Sequence, residues 1–159
     1  MLEEQRLDTA IHDCVGFDCG VPALNDYLRK FASHHRRRGV SQTFVLVDDS
    51  APTQVLGYYT LSAAQLEAGS LSDAERKRLP RYPIPCIRMG RLAVSLASRG
   101  EGHGRLLIGL AVERCLKARQ EVAAYALVVD AKDEIAVEFY RHYGFTACRD
   151  APLTLYLAL

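Results

Sequence analysis

The run from Leu92 to Leu107 constrains this chain most. An apolar stretch, Leu92-Ala93-Val94, leads towards Arg99-Gly100-Glu101-Gly102-His103-Gly104, and an amphipathic helical pattern follows. Glycines at alternate positions permit a turn with positive φ, and such a turn at a helix start leaves several backbone N–H groups facing outward at the positive end of the helix dipole. The segment reads as a seat for a phosphate or pyrophosphate. Glycines also serve ordinary tight turns, so the context must narrow the choice. A dinucleotide fingerprint sits near the start of a βαβ unit, whereas this turn falls late in a chain of 159 residues. A P-loop ends in Gly-Lys-Ser or Gly-Lys-Thr, and here the turn ends in Gly104-Arg105-Leu106.

The flanking pattern predicts a mixed α/β chain. Pro22 near a helix start is followed by Leu24, Tyr27, Leu28 and Phe31 at i, i+3, i+4 and i+7, one apolar stripe, and Gly39 stops that helix. Thr43 to Val47 and Val55 to Ser62 read as an antiparallel hairpin through Asp48 to Pro52, and Ala74 to Leu79 as a short helix closed by Pro80. Strands are expected over Ile87 to Val94, Ala124 to Val129 and Leu153 to Leu159, and helices over Gly104 to Arg119 and Asp133 to His142. The length suits one domain over residues 1–159, and no apolar run approaches the ~20 residues of a membrane span. The charged start Met1-Leu2-Glu3-Glu4-Gln5-Arg6 has no apolar stretch after it, so a cytoplasmic location and no membrane partner are expected. Cys14, Cys19, Cys86, Cys115 and Cys148 are odd in number and lack Cys-x-x-Cys spacing, which predicts free thiols and no metal site.

Arg99-x-x-Gly102-x-Gly104 between a strand and a helix, with Phe139-Tyr140 and then Gly144-Phe145 after the next strand, resembles the GNAT superfamily of N-acetyltransferases. The resemblance implies a single GNAT-like α+β domain whose central, mostly antiparallel sheet carries helices on both faces, with acetyl-CoA as acetyl donor. It implies that the backbone of Leu92 and Val94 binds the pantetheine arm and thioester. Arg99, Gly100, Gly102, His103 and Gly104 would hold the pyrophosphate, and Tyr140 would protonate the departing thiolate. Tyr143, just before Gly144-Phe145, reads as structural. No carboxylate stands out as a base, although Glu138 and Asp130 are near in sequence. An α-amine, with a reference pKa of about 8, needs less help than a lysine near 10.4.

A longer N-terminal pattern, Phe17-Asp18-Cys19-Gly20-Val21-Pro22-Ala23-Leu24-Asn25-Asp26-Tyr27-Leu28, then Tyr82-Pro83-Ile84-Pro85 ahead of Gly90-Arg91-Leu92, is similar to the GNAT toxins of bacterial toxin–antitoxin pairs. That similarity implies acetylation of the α-amino group of aminoacyl-tRNA with arrest of translation, a ribbon–helix–helix antitoxin as partner, and a homodimer. The net charge is only +1, yet two stretches are basic and free of acids. Arg36, Arg37, Arg38, Arg78, Arg81, Arg88 and Arg91 are the candidate phosphate contacts for such an RNA. Two alternatives stay open at this point: a small-molecule or protein N-acetyltransferase, and a non-catalytic acyl-CoA-binding sensor.

Overall fold

The computed structural model describes residues 1–159, and the chain divides into two compact units, Met1–Ser62 with Gly90–Ala111 and Ala63–Met89 with Val112–Leu159. Seven strands form a mixed sheet in the order β1-β2-β3-β4-β5-β7-β6: β1 (Leu2–Arg6), β2 (Gln42–Asp48), β3 (Gly57–Leu66), β4 (Ile84–Val94), β5 (Ala126–Asp130), β6 (Thr146–Ala147) and β7 (Thr154–Ala158). The pairs β1–β2, β2–β3, β5–β7 and β6–β7 are antiparallel, and β4–β5 is parallel. The expected hairpin is present, with Gln42 opposite Leu61.

In the first unit, α1 (Pro22–Asp26), a π-helical turn (Tyr27–Phe31) and α2 (Ala32–Arg37) succeed one another. Gly39 follows with φ +71°, the left-handed stop expected of it. The predicted stripe is corrected here: Tyr27 and Leu28 are buried, but the inward position passes to Ala32 and Phe31 is exposed. A π turn takes one residue more than an α turn, so the buried face advances by one position. The core of this unit joins Leu7, Phe17, Tyr27, Leu28, Val45, Val47, Tyr58 and Ala93. β1 was not expected, because Leu2-Glu3-Glu4-Gln5-Arg6 has no apolar alternation. It is an edge strand held by its ladder to β2 and by the Met1 amine, which donates to Asp48 and Asp49 at 3.2 and 2.8 Å.

In the second unit, β4 and β5 run parallel from Cys86 opposite Ala126 to Met89 opposite Val129. Leu66, Leu71, Ile84, Cys86, Ala126, Val128, Cys148 and Tyr156 make its core. Its helices are α3 (Asp73–Arg78) and α5 (Glu134–His142), and α4 (His103–Ala118) enters it from the first unit. Asp133 caps α5, its carboxylate accepting from the Ala136 N–H at 2.9 Å. All five cysteines are free thiols, and Cys115 is fully buried. No helix is long and apolar enough to cross a membrane.

Candidate functional site

The glycine turn is built within the first unit. The parallel ladder ends at Met89, β4 continues to Val94, and a 3-10 turn (Leu96–Ser98) leads on to α4. Leu92 and Val94 are half-buried in that continuation. Gly100 and Gly102 take φ of +81° and +79°, and a Cβ at either would meet nothing within 4 Å. Glycine is required there by backbone conformation, which costs other residues ~1–2 kcal/mol, and the space around it is open. The Leu106 N–H bonds the Gly102 carbonyl at 3.1 Å, so α4 begins at once and its first N–H groups lack helical acceptors.

His103, at the first position of α4, is 5% exposed, and its Nδ1 has no hydrogen-bond partner. Its Nε2 stands 3.6 Å from a Glu101 carboxylate oxygen. An orphaned buried nitrogen at the end of a 16-residue helix fits a phosphate-bearing ligand such as acetyl-CoA. Arg99 is occupied otherwise. Its guanidinium donates to the Cys19 carbonyl at 3.2 Å and its N–H to Leu96 at 3.4 Å, while the Leu96 N–H bonds Asp18 at 2.9 Å. Arg99 thus clamps the turn to the segment around Asp18, and the donors left for a ligand come from Gly100 onward. Gly102→Val is expected to weaken acetyl-CoA binding at least tenfold by calorimetry while the protein still melts cooperatively, because the β-branched side chain is strained at positive φ.

Gly57 was not singled out by the sequence, and it is the tightest glycine in this unit apart from Gly16. A Cβ there would lie 2.8 Å from the Ala93 carbonyl oxygen and 2.9 Å from Leu107 Cδ1. The Ser95 N–H also bonds the Leu56 carbonyl at 2.9 Å. The start of β3 therefore sets the height of the β4 end from which the turn departs.

In the second unit, Tyr140 lies on α5 and is buried at 8% exposure. Gly144, at φ +94°, ends the helix, and the Phe145 N–H returns to the Tyr140 carbonyl at 3.2 Å. This folds the Phe145 ring edge-on to Tyr140 at 5.5 Å, the physical reason for a Gly-Phe after Phe-Tyr. The phenol makes no hydrogen bond within the chain. Burial, with Asp130 adding to it, pushes its pKa up to about 12. Tyr143 caps α5, its N–H bonding the Tyr140 carbonyl at 3.0 Å and its ring packing on Phe139 at 5.1 Å, the structural position expected of it. Asp130 accepts from Arg88 and, at 3.0 Å, from the Thr154 hydroxyl, so it is not a free base.

The candidate cations divide between the units. In the first, Arg36 donates to the Leu7 carbonyl at 3.2 Å and Arg37 to the Ser33 hydroxyl at 3.4 Å, and Arg38 is exposed. Arg91 lies over the Tyr27 ring, 3.5 Å from its centroid. In the second, Arg78 turns back on the Ala74 carbonyl at 3.3 Å, Arg88 is paired with Asp130, and Arg81 lines an open groove with Arg76, Lys77 and Glu67.

Sequence reasoning missed how α3 is held. Ser72 caps α3, its Oγ accepting from the Glu75 N–H at 3.3 Å and donating to the Glu75 carboxylate at 2.8 Å, while the Ser72 N–H donates to the Tyr156 hydroxyl at 3.2 Å. Glu75 also accepts from the phenols of Tyr125 and Tyr156. Burial pushes this carboxyl up, but the hydrogen bonds from Tyr125, Tyr156 and Ser72 outweigh it and hold the pKa below the ordinary value. The Ser-x-x-Glu spacing was the available signal; the two tyrosines carry none.

Residues 39–147 match the acetyltransferase (GNAT) domain model. The chain is 33% identical over 147 residues to the tRNA-acetylating toxin of Mycobacterium tuberculosis, covering 92% of this chain and 86% of that one. Among solved structures, AtaT complexed with acetyl-methionyl-tRNAfMet aligns with a TM-score of 0.93 at 30% identity, covering 99% of this chain and 95% of that one. A tyrosine-to-phenylalanine variant of AtaT, bound to the C-terminus of the antitoxin AtaR and acetyl-CoA, aligns with a TM-score of 0.84 at 28% identity over 99% and 92% of the two chains.

Proposed function

Because this chain belongs to the GNAT acetyltransferase family, we propose that it transfers acetyl from acetyl-CoA to the α-amino group of an aminoacyl-tRNA and thereby stops translation. The observation that carries the donor side is the open glycine turn, with Gly100 and Gly102 in left-handed conformations and the unpartnered His103 Nδ1 beside them. The acceptor is supported by similarity to a tRNA-acetylating toxin and to AtaT with acetyl-methionyl-tRNAfMet.

Acetyl-CoA supplies an activated acetyl thioester. The backbone N–H groups from Gly100 to Gly104 and the end of α4 hold its pyrophosphate, His103 adds a ring nitrogen, and the backbone of Leu92 and Val94 lines the pantetheine arm and the thioester oxygen. The neutral acceptor amine attacks the carbonyl carbon, the C–S bond breaks, and the amine releases a proton. Tyr140 donates its phenolic proton to the leaving sulfur, and water returns one to the phenol. A pKa pushed up to about 12 keeps the phenol protonated at every physiological pH. With Asp130 bound by Arg88 and Thr154, deprotonation falls to water, which suits an α-amine.

Arg38 and Arg81 are the freest of the candidate phosphate contacts, Arg36, Arg37 and Arg78 can turn outward from weak bonds, and Arg88 and Arg91 act chiefly through their partners. The reaction takes place in the cytoplasm, where charged tRNA is found. AtaT is seen with the C-terminus of its antitoxin AtaR, and an antitoxin with a ribbon–helix–helix domain, together with a homodimer of this chain, completes the proposal. The test is transfer of labelled acetyl from acetyl-CoA to bulk charged tRNA beside deacylated tRNA. Label on charged RNA alone is the expected outcome. No label on either, from protein shown to bind acetyl-CoA, overturns the acceptor and leaves a small amine or protein substrate.

A further inference from the structure

Phe31 is 48% exposed, yet its ring is held in place. On one side it stacks on Tyr27, centroids 6.4 Å apart and planes 28° apart, and His35 lies 6.2 Å away. Tyr27 is itself fixed, with its hydroxyl 2.9 Å from His35 Nδ1 and the Arg91 guanidinium 3.5 Å from its ring centroid. The π turn is what brings Phe31 outward. Along the chain from Tyr27 to Val47 every residue is basic or neutral: no acid occurs between Asp26 and Asp48, while Arg29, Lys30, Arg36, Arg37 and Arg38 all do. Asp26 pairs with Arg29 at 2.6 Å and with Lys30 at 3.9 Å, and leaves the C-terminal three arginines without an acidic partner.

A fixed aromatic with exposed surface among cations is the arrangement that stacks unpaired bases while neighbouring charges take phosphates. An apolar protein partner is a poor match for a stretch that carries five cations and no acid, whereas a polyanion suits it. We propose that Phe31 is a stacking platform for an unpaired nucleobase of the RNA acceptor, with Arg37 and Arg38 on the adjoining phosphates. This deepens, and rests on, the aminoacyl-tRNA reading, since a charged tRNA presents its amine at the end of unpaired nucleotides.

The test measures fluorescence anisotropy with a labelled single-stranded oligoribonucleotide and with a blunt RNA duplex, for wild type, Phe31→Ala, Phe31→Tyr and Arg38→Ala. Phe31→Ala is expected to weaken single-strand binding about 5- to 100-fold. It should leave duplex affinity and the salt slope unchanged and raise KM for charged tRNA without lowering kcat. Phe31→Tyr retains binding, and Arg38→Ala reduces the slope of log affinity against log salt by about one. Unchanged single-strand affinity in Phe31→Ala, or an equal loss on the duplex, overturns the proposal. So does a change of mass by light scattering with RNA affinity intact, which would make this face a contact between copies. Failure of the acceptor reading is distinguishable, because oligonucleotide binding is measured without acetyl transfer.

Discussion

Tyr140→Phe is expected to lower kcat about 10²- to 10⁴-fold while the dissociation constant for acetyl-CoA stays unchanged. The substitution keeps the ring that packs edge-on against Phe145 at 5.5 Å and removes only a hydroxyl without a partner in the chain. Stability should therefore hold or rise slightly, since a desolvated hydroxyl contributes little to the fold. Single-turnover kinetics with charged tRNA and calorimetry with acetyl-CoA separate the two effects. The pH profile carries the second half of this prediction. Burial raises the Tyr140 pKa to about 12, so its acid form persists below that pH and the rate should show no alkaline loss through pH ~10. The rate should instead rise as the acceptor amine loses its proton near pH ~8. Turnover by the Phe variant within tenfold of wild type would remove Tyr140 from the role of acid.

Gly57→Ala is expected to lower Tm by about 2–12 °C, the largest stability effect proposed for any single methyl in this chain. The added Cβ would stand 2.8 Å from the Ala93 carbonyl oxygen and 2.9 Å from Leu107 Cδ1. One of these is backbone and cannot swing away, so β3 must shift, at ~1–3 kcal/mol. Because Ala93 lies between Leu92 and Val94, acetyl-CoA affinity should fall as well. Gly69→Ala is the control, with nothing within 4 Å of its Cβ and no positive φ, and should melt like wild type. Equal Tm values for the two variants would refute the close approach.

The parts legible in the sequence were those whose cause is local. Alternating glycines before an amphipathic run announced the turn and α4, and the left-handed φ values at Gly100 and Gly102 follow from that pattern. Gly39 was legible as a stop. The edge strand β1 was not, because an edge needs no apolar alternation when a ladder and the terminal amine hold it. The π turn escaped too, since Leu24, Tyr27, Leu28 and Phe31 satisfy an α-helical stripe and only the observed burial shows Ala32 turned inward instead of Phe31.

The sequence by itself determined which groups are present: a glycine turn at a helix start, a tyrosine followed by Gly-Phe, and an excess of arginines over lysines. Those depend on residue type and short spacing, which the chain states directly. Only the tertiary structure decided which of these groups are at liberty to act. Arg88 is bound to Asp130, 42 residues away, Arg99 clamps Cys19, and Arg91 covers Tyr27. Glu75 likewise receives the phenols of Tyr125 and Tyr156. Hydrogen bonds and ion pairs act over a few ångströms in space, and distance along the chain does not reveal which charges the fold will bring that close.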